Sequence, residues 1–174
     1  TGTVALANVL CGNQSSSTDQ TLTFAGDTVV TVRGQLTLLS SSGKNLALGG
    51  SGRLEAQGDL LTDNQKYSGG LWITGEADQQ WFASTTTLAS LVIRKSGGTL
   101  SLGGTLNLIR SLQYESGTIE PGNSHLRFFV PMFSEFTLSN AIPLFLSDVT
   151  LGKIAYGSGN YWDGTFNMTN GSEI

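Results

Sequence analysis

The chain has 174 residues, 39% of them hydrophobic and only 13% charged, with 23 glycines and a formal net charge of −4. That length predicts a single domain with a core large enough to fold without staples. Charge well below the usual quarter of residues, with acids in excess, argues against a nucleic-acid partner, because phosphate recognition needs a basic face. No run of 18 apolar residues occurs, so no membrane insertion is expected. Low charge combined with abundant Gly, Ser and Thr suits an extracellular β-rich structural protein better than a cytosolic enzyme. The sequence starts at Thr1 without a signal peptide, so secretion implies a leader already removed.

In chain order, residues 1–20 read as an N-terminal strand and linker. Thr1 to Gly12 is apolar and uncharged. An unprotected strand of that kind is sticky, which marks Val4, Leu6, Val9 and Leu10 as candidate subunit-interface residues. Asn13 to Gln20 is a polar linker, flexible by composition, that would let the strand reach a neighbour. The only cysteine, Cys11, excludes an internal disulfide. Its plain reading is a small buried apolar group, and its sharper one a bond between subunits or a lipid or redox role.

From Thr21 to Val130 the chain falls into short apolar-x-apolar beats with period two, the mark of strands. They include Leu22-Thr23-Phe24, Val30-Thr31-Val32, Leu36-Thr37-Leu38, Leu46-Ala47-Leu48 and Leu54-Glu55-Ala56. Residues 88–129 continue them most clearly, with Leu91-Val92-Ile93, Leu100-Ser101-Leu102, Leu106-Asn107-Leu108 and Leu126-Arg127-Phe128. Between beats stand Gly34, Gly58, Gly97-Gly98, Gly103-Gly104 and Ser116-Gly117, residues that turn corners. The connections are too short for helices. Strand starts six to ten residues apart predict about three strands per turn of a coil near twenty residues. Residues 58–70 break this rhythm and are expected to form a loop outside the coil. Residues 131–174 change texture, with prolines, phenylalanines and then a Gly/Asn-rich tail, as expected of a C-terminal β cap on a repeat array.

Candidate chemistry is sparse. His125 is the only histidine and sits in a strand beat, so a triad or a two-histidine metal site would depend wholly on it or be impossible. Gly49-Gly50-Ser51-Gly52-Arg53-Leu54 approaches a calcium-binding nonapeptide, but Leu54 stands where the liganding aspartate belongs. No cofactor or metal is expected. Carboxylates for a polysaccharide lyase or hydrolase would come from Asp59, Asp63 and Asp78, with Glu76 nearby and Lys66 as a base; acids in polar turns are usually solvated or capping groups. Trp72, Trp81, Tyr67, Tyr161 and Trp162 could stack on sugars. The two strand tryptophans suit a core, which leaves Tyr67, Tyr161 and Trp162 as possible ligand contacts. The threonines around Thr85-Thr86-Thr87 are too irregularly spaced for an ice-binding ladder. Sequons begin at Asn13, Asn167 and Asn170.

The stretch Ile73-Thr74-Gly75, Gln79-Gln80-Trp81-Phe82, Leu88 to Ile93, Gly98 to Leu108, Ser116 to Ile119 and Asn123 to Leu126 resembles the repeats of large secreted bacterial surface proteins, the adhesin-like β-solenoids. The resemblance covers residues 71–129, with a looser echo over 21–57. It implies a non-catalytic extracellular scaffold. The expected fold is thus all-β, a right-handed parallel β-helix with terminal capping or exchange segments; the rival is an antiparallel β-sandwich or jelly roll. The expected function is a subunit of a surface fibre, joined to copies of itself through terminal strands. The rivals are a carbohydrate-binding adhesion module, with surface glycans as partners, and a β-helix enzyme.

Overall fold

The computed structural model describes residues 2–41, 44–63, 66–120, 122, 124–131, 135–139, 148–154 and 165–169, with side chains described up to residue 124 apart from 66–69. Among these residues every element is a strand: β1 (Thr3–Leu6), β2 (Val9–Asn13), β3 (Gln20–Phe24), β4 (Val29–Val32), β5 (Leu36–Ser40), β6 (Asn45–Gly50), β7 (Arg53–Ala56), β8 (Leu60–Thr62), β9 (Lys66–Gly75), β10 (Gln79–Glu120), β11 (His125–Pro131), β12 (Glu135–Ser139), β13 (Asp148–Ile154) and β14 (Thr165–Thr169). Every pairing between them is parallel. The protein is a right-handed parallel β-helix, and the antiparallel sandwich is overturned. Parallel neighbours need a long return path, and here the return path is the rest of the coil.

Three walls rise along the axis. The first stacks β1, β4, β7, the second half of β9 and residues 91–95 of β10, and higher up residues 111–113 of β10, then β12 and β14. The second stacks β2, β5, β8 and residues 81–83 of β10. The third stacks β3, β6, the start of β9 and residues 87–88 of β10, and higher up residues 105–108 of β10, β11 and β13. β10 is therefore not a straight strand; it winds past all three walls without losing its ladder. The step between stacked partners is 26 residues from Thr3 to Val29, 24 from Val29 to Arg53 and 21 from Leu60 to Trp81. The early coils are larger than the expected twenty, and the middle ones match it.

Period two along each strand sends alternate side chains into the lumen. On the first wall Leu54, Leu71 and Leu91 lie in one inward column and Val32, Ala56, Ile73 and Ile93 in the next, all buried. Leu36, Leu60 and Trp81 form a column of the second wall, and Leu46, Leu48 and Leu88 line the third. Each such leucine contributes about 1.5–3 kcal/mol by leaving water. The corners need glycine where expected. At Gly50 φ is +94°, and an added Cβ would fall 2.0 Å from the Phe24 carbonyl oxygen in the coil below; Gly104, at φ +81°, would meet the Ala83 carbonyl at the same distance.

One corner breaks that rule. Thr85 is a β-branched residue at φ +54°, a conformation such side chains adopt only under strain. Its neighbour Thr86 is fully buried, with its hydroxyl 2.7 Å from Thr62 Oγ1 and 2.8 Å from the Asp63 carbonyl. Burial of Thr86 therefore holds Thr85 where it stands. Thr85→Gly is expected to raise stability by about 0.5–1 kcal/mol, the strain relieved less the entropy of glycine. Urea unfolding checks this, with Thr85→Ala showing no such gain; a lower midpoint for the glycine variant refutes the strain.

The described residues of 58–70, namely 58–63 and 66–70, belong to the coil and not to a loop outside it. Leu60, Leu61 and Thr62 pair with β5 on one side and β10 on the other, and β9 begins at Lys66. The apolar rhythm fails there because Thr62, fully buried, takes a core position that apolar residues hold in the coils on either side, Leu38 and Ala83.

Candidate functional site

Among the described residues, the first coil lies at one edge of the stack. β1 bonds β4 and β2 bonds β5, and among the described residues neither pairs on its other edge. Val4 shares the register column of Val30, Leu54 and Leu71, and Leu6 that of Val32, Ala56 and Ile73. These are core positions, yet Val4 is 45% and Leu6 39% exposed, with no strand among the described residues paired above them. Val9 stands over Leu36 in the same way and is half-buried. Leu10 does not share this face. The pleat turns it to the outside, in register with Thr37 and through it Leu61, and it is 67% exposed beside the outward row that continues to Phe82. Three apolar residues in a row, Val9-Leu10-Cys11, hid that parity.

The N-terminal strands lie on their own second coil rather than reaching outward, and residues 13–20 are pinned. Asn13 Oδ1 accepts the Ser15 amide at 2.8 Å, Gln20 Oε1 accepts the Asn13 amide at 2.8 Å, and Asp19 Oδ1 accepts the Asn45 amide at 3.0 Å. Between β2 and β3 the end of the coil holds an open cavity of about 320 Å³ lined by Cys11, Gln20, Leu22 and Leu46, among others. Cys11 and Gln20 occupy the positions that Leu38 and Leu46 fill one coil on. Burial pushes the Cys11 thiol above its ordinary value, which keeps it protonated and a poor nucleophile at neutral pH. It packs against the core as a small apolar group.

Asp59, Asp63 and Asp78, the candidate acids of the rival enzyme reading, accept backbone amides of neighbouring coils. Asp59 Oδ1 accepts the Gln80 amide at 2.8 Å and Asp78 Oδ1 the Thr99 amide at 2.8 Å, each one coil on. Asn8 Oδ1 does the same for Gln35 at 2.7 Å. Asp63 Oδ2 accepts the Ser40 amide at 2.9 Å and the Gln14 side-chain amide at 3.4 Å. The Asn45 amide, foremost, holds the Asp19 carboxyl below its usual range. Glu76 is exposed. Lys66 pairs through its backbone with Asn45 and Thr87; its side chain lies outside the described residues. Among the described residues no three His, Cys, Asp or Glu side chains converge to hold a metal ion.

Trp81 is buried core. Trp72 faces outward on the first wall, where Arg53 from the coil below lies 4.6 Å and Arg94 from the coil above 4.9 Å from its ring centroid. Arg53 pairs with Glu55 at 2.6 Å, and Arg94 grips Glu115 with two hydrogen bonds. That grip raises the Arg94 guanidinium and lowers the Glu115 carboxyl from their ordinary values. A sugar stacking on Trp72 would first have to displace these guanidinium groups. The backbone of Tyr67 sits in register between Leu46 and Leu88. Tyr161 and Trp162 lie outside the described residues, as does Asn170; Asn167 pairs through its backbone with Thr137.

A polar pair absent from the sequence reading is buried at the corner between the first and second walls. Lys95 is 2% exposed; its Nζ donates to the Ala77 carbonyl at 2.8 Å and to Gln79 Oε1 at 2.5 Å. Gln79 Nε2 donates to the carbonyls of Ala56 at 3.1 Å and Gly58 at 2.8 Å. The signal was available: Lys95 has the same parity as Leu91 and Ile93. No protein-family model, curated protein or solved structure matches the chain.

Proposed function

We propose that the chain is a non-catalytic extracellular scaffold, a subunit of a surface fibre that assembles by stacking its terminal β-strands on copies of itself. The observation that carries this reading is the end coil, where Val4 and Leu6 hold core positions at 45% and 39% exposure beside a ladder bonded on one edge. Open apolar edges of this kind associate, and head-to-tail contacts build open filaments. Main-chain pairing supplies affinity and the apolar columns supply register. The low charge and the binding of Asp59, Asp63 and Asp78 to backbone amides of neighbouring coils fit a wall better than a cleft.

Deleting residues 1–12 is a poor test, since it exposes the equally apolar β4 and β5 as the new end. The double variant Val4→Lys/Leu6→Lys places charge on the edge and leaves the interior intact. The unmodified chain is expected to form filaments in negative-stain micrographs and oligomers in sedimentation. The variant is expected to remain monomeric with an unchanged far-UV spectrum. Monomers from the unmodified chain, or filaments from the variant, refute the reading.

A further inference from the structure

Two arginines frame one indole on the outer face of the first wall. The Arg53 guanidinium lies 4.6 Å and that of Arg94 4.9 Å from the Trp72 ring centroid. Each has its own carboxylate, yet the two signs are not equally placed. The Arg53 and Arg94 side chains are 41% and 48% exposed, those of Glu55 and Glu115 only 11% and 22%. The carboxylates are also engaged. Glu55 accepts from Arg53 Nε and Thr31 Oγ1, and Glu115 accepts from Arg94 and Gln113 Nε2. A guanidinium carries five N–H donors. Among the described residues Arg53 uses only Nε, and Arg94 leaves Nη1 unused. Arg33, exposed just past β4, adds a further cation to this face.

We propose that this face binds an acidic polysaccharide, with Arg53 and Arg94 each holding a carboxylate of the sugar chain beside Trp72. The exposed guanidinium ends supply the charge complementarity. The net charge of −4 disfavours an anion elsewhere on the chain, so the contact is local. The indole and the two glutamates already fix both guanidiniums, so little side-chain freedom is lost on binding. The sugar sits on the guanidiniums and not on the indole, and nothing has to be displaced. Ser90 and Gln113 stand alongside as partners for hydroxyls. Exposed Gly70 leaves a notch between Arg53 and Ser90, where an added Cβ would meet nothing closer than 3.7 Å. An acidic peptide has less to hold. Peptides dock by strand addition or in apolar pockets, whereas β7 and β9 are paired on both edges and the side chains around the arginines are polar. The site lies within one copy, away from the β1 edge, and is independent of the fibre reading.

Fluorescence anisotropy of a labelled oligogalacturonate, titrated with the full chain, tests the site. Labelled neutral dextran and a labelled glutamate peptide serve as comparisons. The oligogalacturonate is expected to bind, more weakly as salt is added, and the dextran not to bind. Arg53→Gln/Glu55→Gln removes one guanidinium with its own carboxylate and leaves the net charge unchanged. It is expected to weaken binding about tenfold. Arg94→Lys keeps the charge, loses the fork that meets a carboxylate, and is expected to weaken binding as well. Lys44→Gln/Arg110→Gln removes two cations elsewhere and is expected to leave binding unchanged. Far-UV spectra and urea midpoints accompany every variant. No binding of oligogalacturonate by the unmodified chain overturns the proposal. So does a loss in Lys44→Gln/Arg110→Gln equal to that in Arg53→Gln/Glu55→Gln, which would mark diffuse charge. Tighter binding of the glutamate peptide would assign the face to an acidic protein and overturn the sugar.

Discussion

Replacing Trp81 with alanine is expected to lower the unfolding free energy by about 3–5 kcal/mol, the range for emptying a large buried aromatic site. Trp81 is 1% exposed and packs in the second-wall column above Leu60, with coils on both sides. Its Nε1 donates to Thr62 Oγ1 at 2.9 Å, inside a lumen where Thr62 and Thr86 are fully buried. Two losses add in the alanine variant: the packing of the ring and the partner of a buried hydroxyl. Trp81→Phe separates them, since it keeps an aromatic ring and removes the N–H; that variant is expected to lose about 1–2 kcal/mol. Urea unfolding followed by far-UV circular dichroism reads both. A loss below 1 kcal/mol for Trp81→Ala would mean the lumen is not packed there.

A stack of this kind is nearly one-dimensional, and each coil touches only its neighbours. Position along the axis therefore sets the size of a lesion. Trp81 sits mid-stack and couples two interfaces, whereas Val4 at the end holds only one. The proposed fibre would link stability to assembly, since a copy stacked on β1 would give the first coil a second interface.

Much of this architecture was legible because the lumen is narrow and every coil repeats the same demand. Leu36-Thr37-Leu38 and Leu46-Ala47-Leu48 alternate because one face of each short strand must be apolar, and both are strands with inward leucines. The corners at Gly98, Gly104 and Gly117 carry positive φ as the glycine spacing predicts. What stayed hidden had three physical causes. Thr62 and Thr86 satisfy each other and Trp81 inside the lumen, so the hydrophobic rhythm lapses there although residues 60–62 and 66–70 are strands of the coil. Leu10 lies among apolar neighbours, so only the pleat distinguishes it from Val9 and Cys11. Gln79 and Lys95 are bonded 16 residues apart across successive coils, a contact that only the coil length brings about. The acids were legible as residues and not as partners, since Asp59 and Gln80 meet only once the 21-residue step is known.

Stability should rise as the solution is made alkaline, and Lys95 is the reason. Burial, foremost, depresses the Lys95 amine below its ordinary 10.5, and the nearby Asp78 charge opposes this only in part. Its two hydrogen-bond partners, the Ala77 carbonyl and Gln79 Oε1, are neutral. Below the folded-state value both folded and unfolded chains hold the proton, and the folded chain bears the full cost of a buried charge. Between that value and 10.5 the unfolded chain binds more protons than the folded one, so stability increases with pH across that window. Above 10.5 the cost is gone. Lys95→Met removes the amine and keeps the stem, and it is expected to abolish the rise. Lys95→Ala also empties the stem's space beside Gly117 and is expected to cost about 2–4 kcal/mol near neutrality, from lost methylene burial and acceptors left without a donor. Urea midpoints between pH 7 and 11 for the three proteins give the comparison. An unmodified chain whose midpoint follows that of Lys95→Met at every pH would place the amine in water, and the corner it shares with Gln79 would then not be closed.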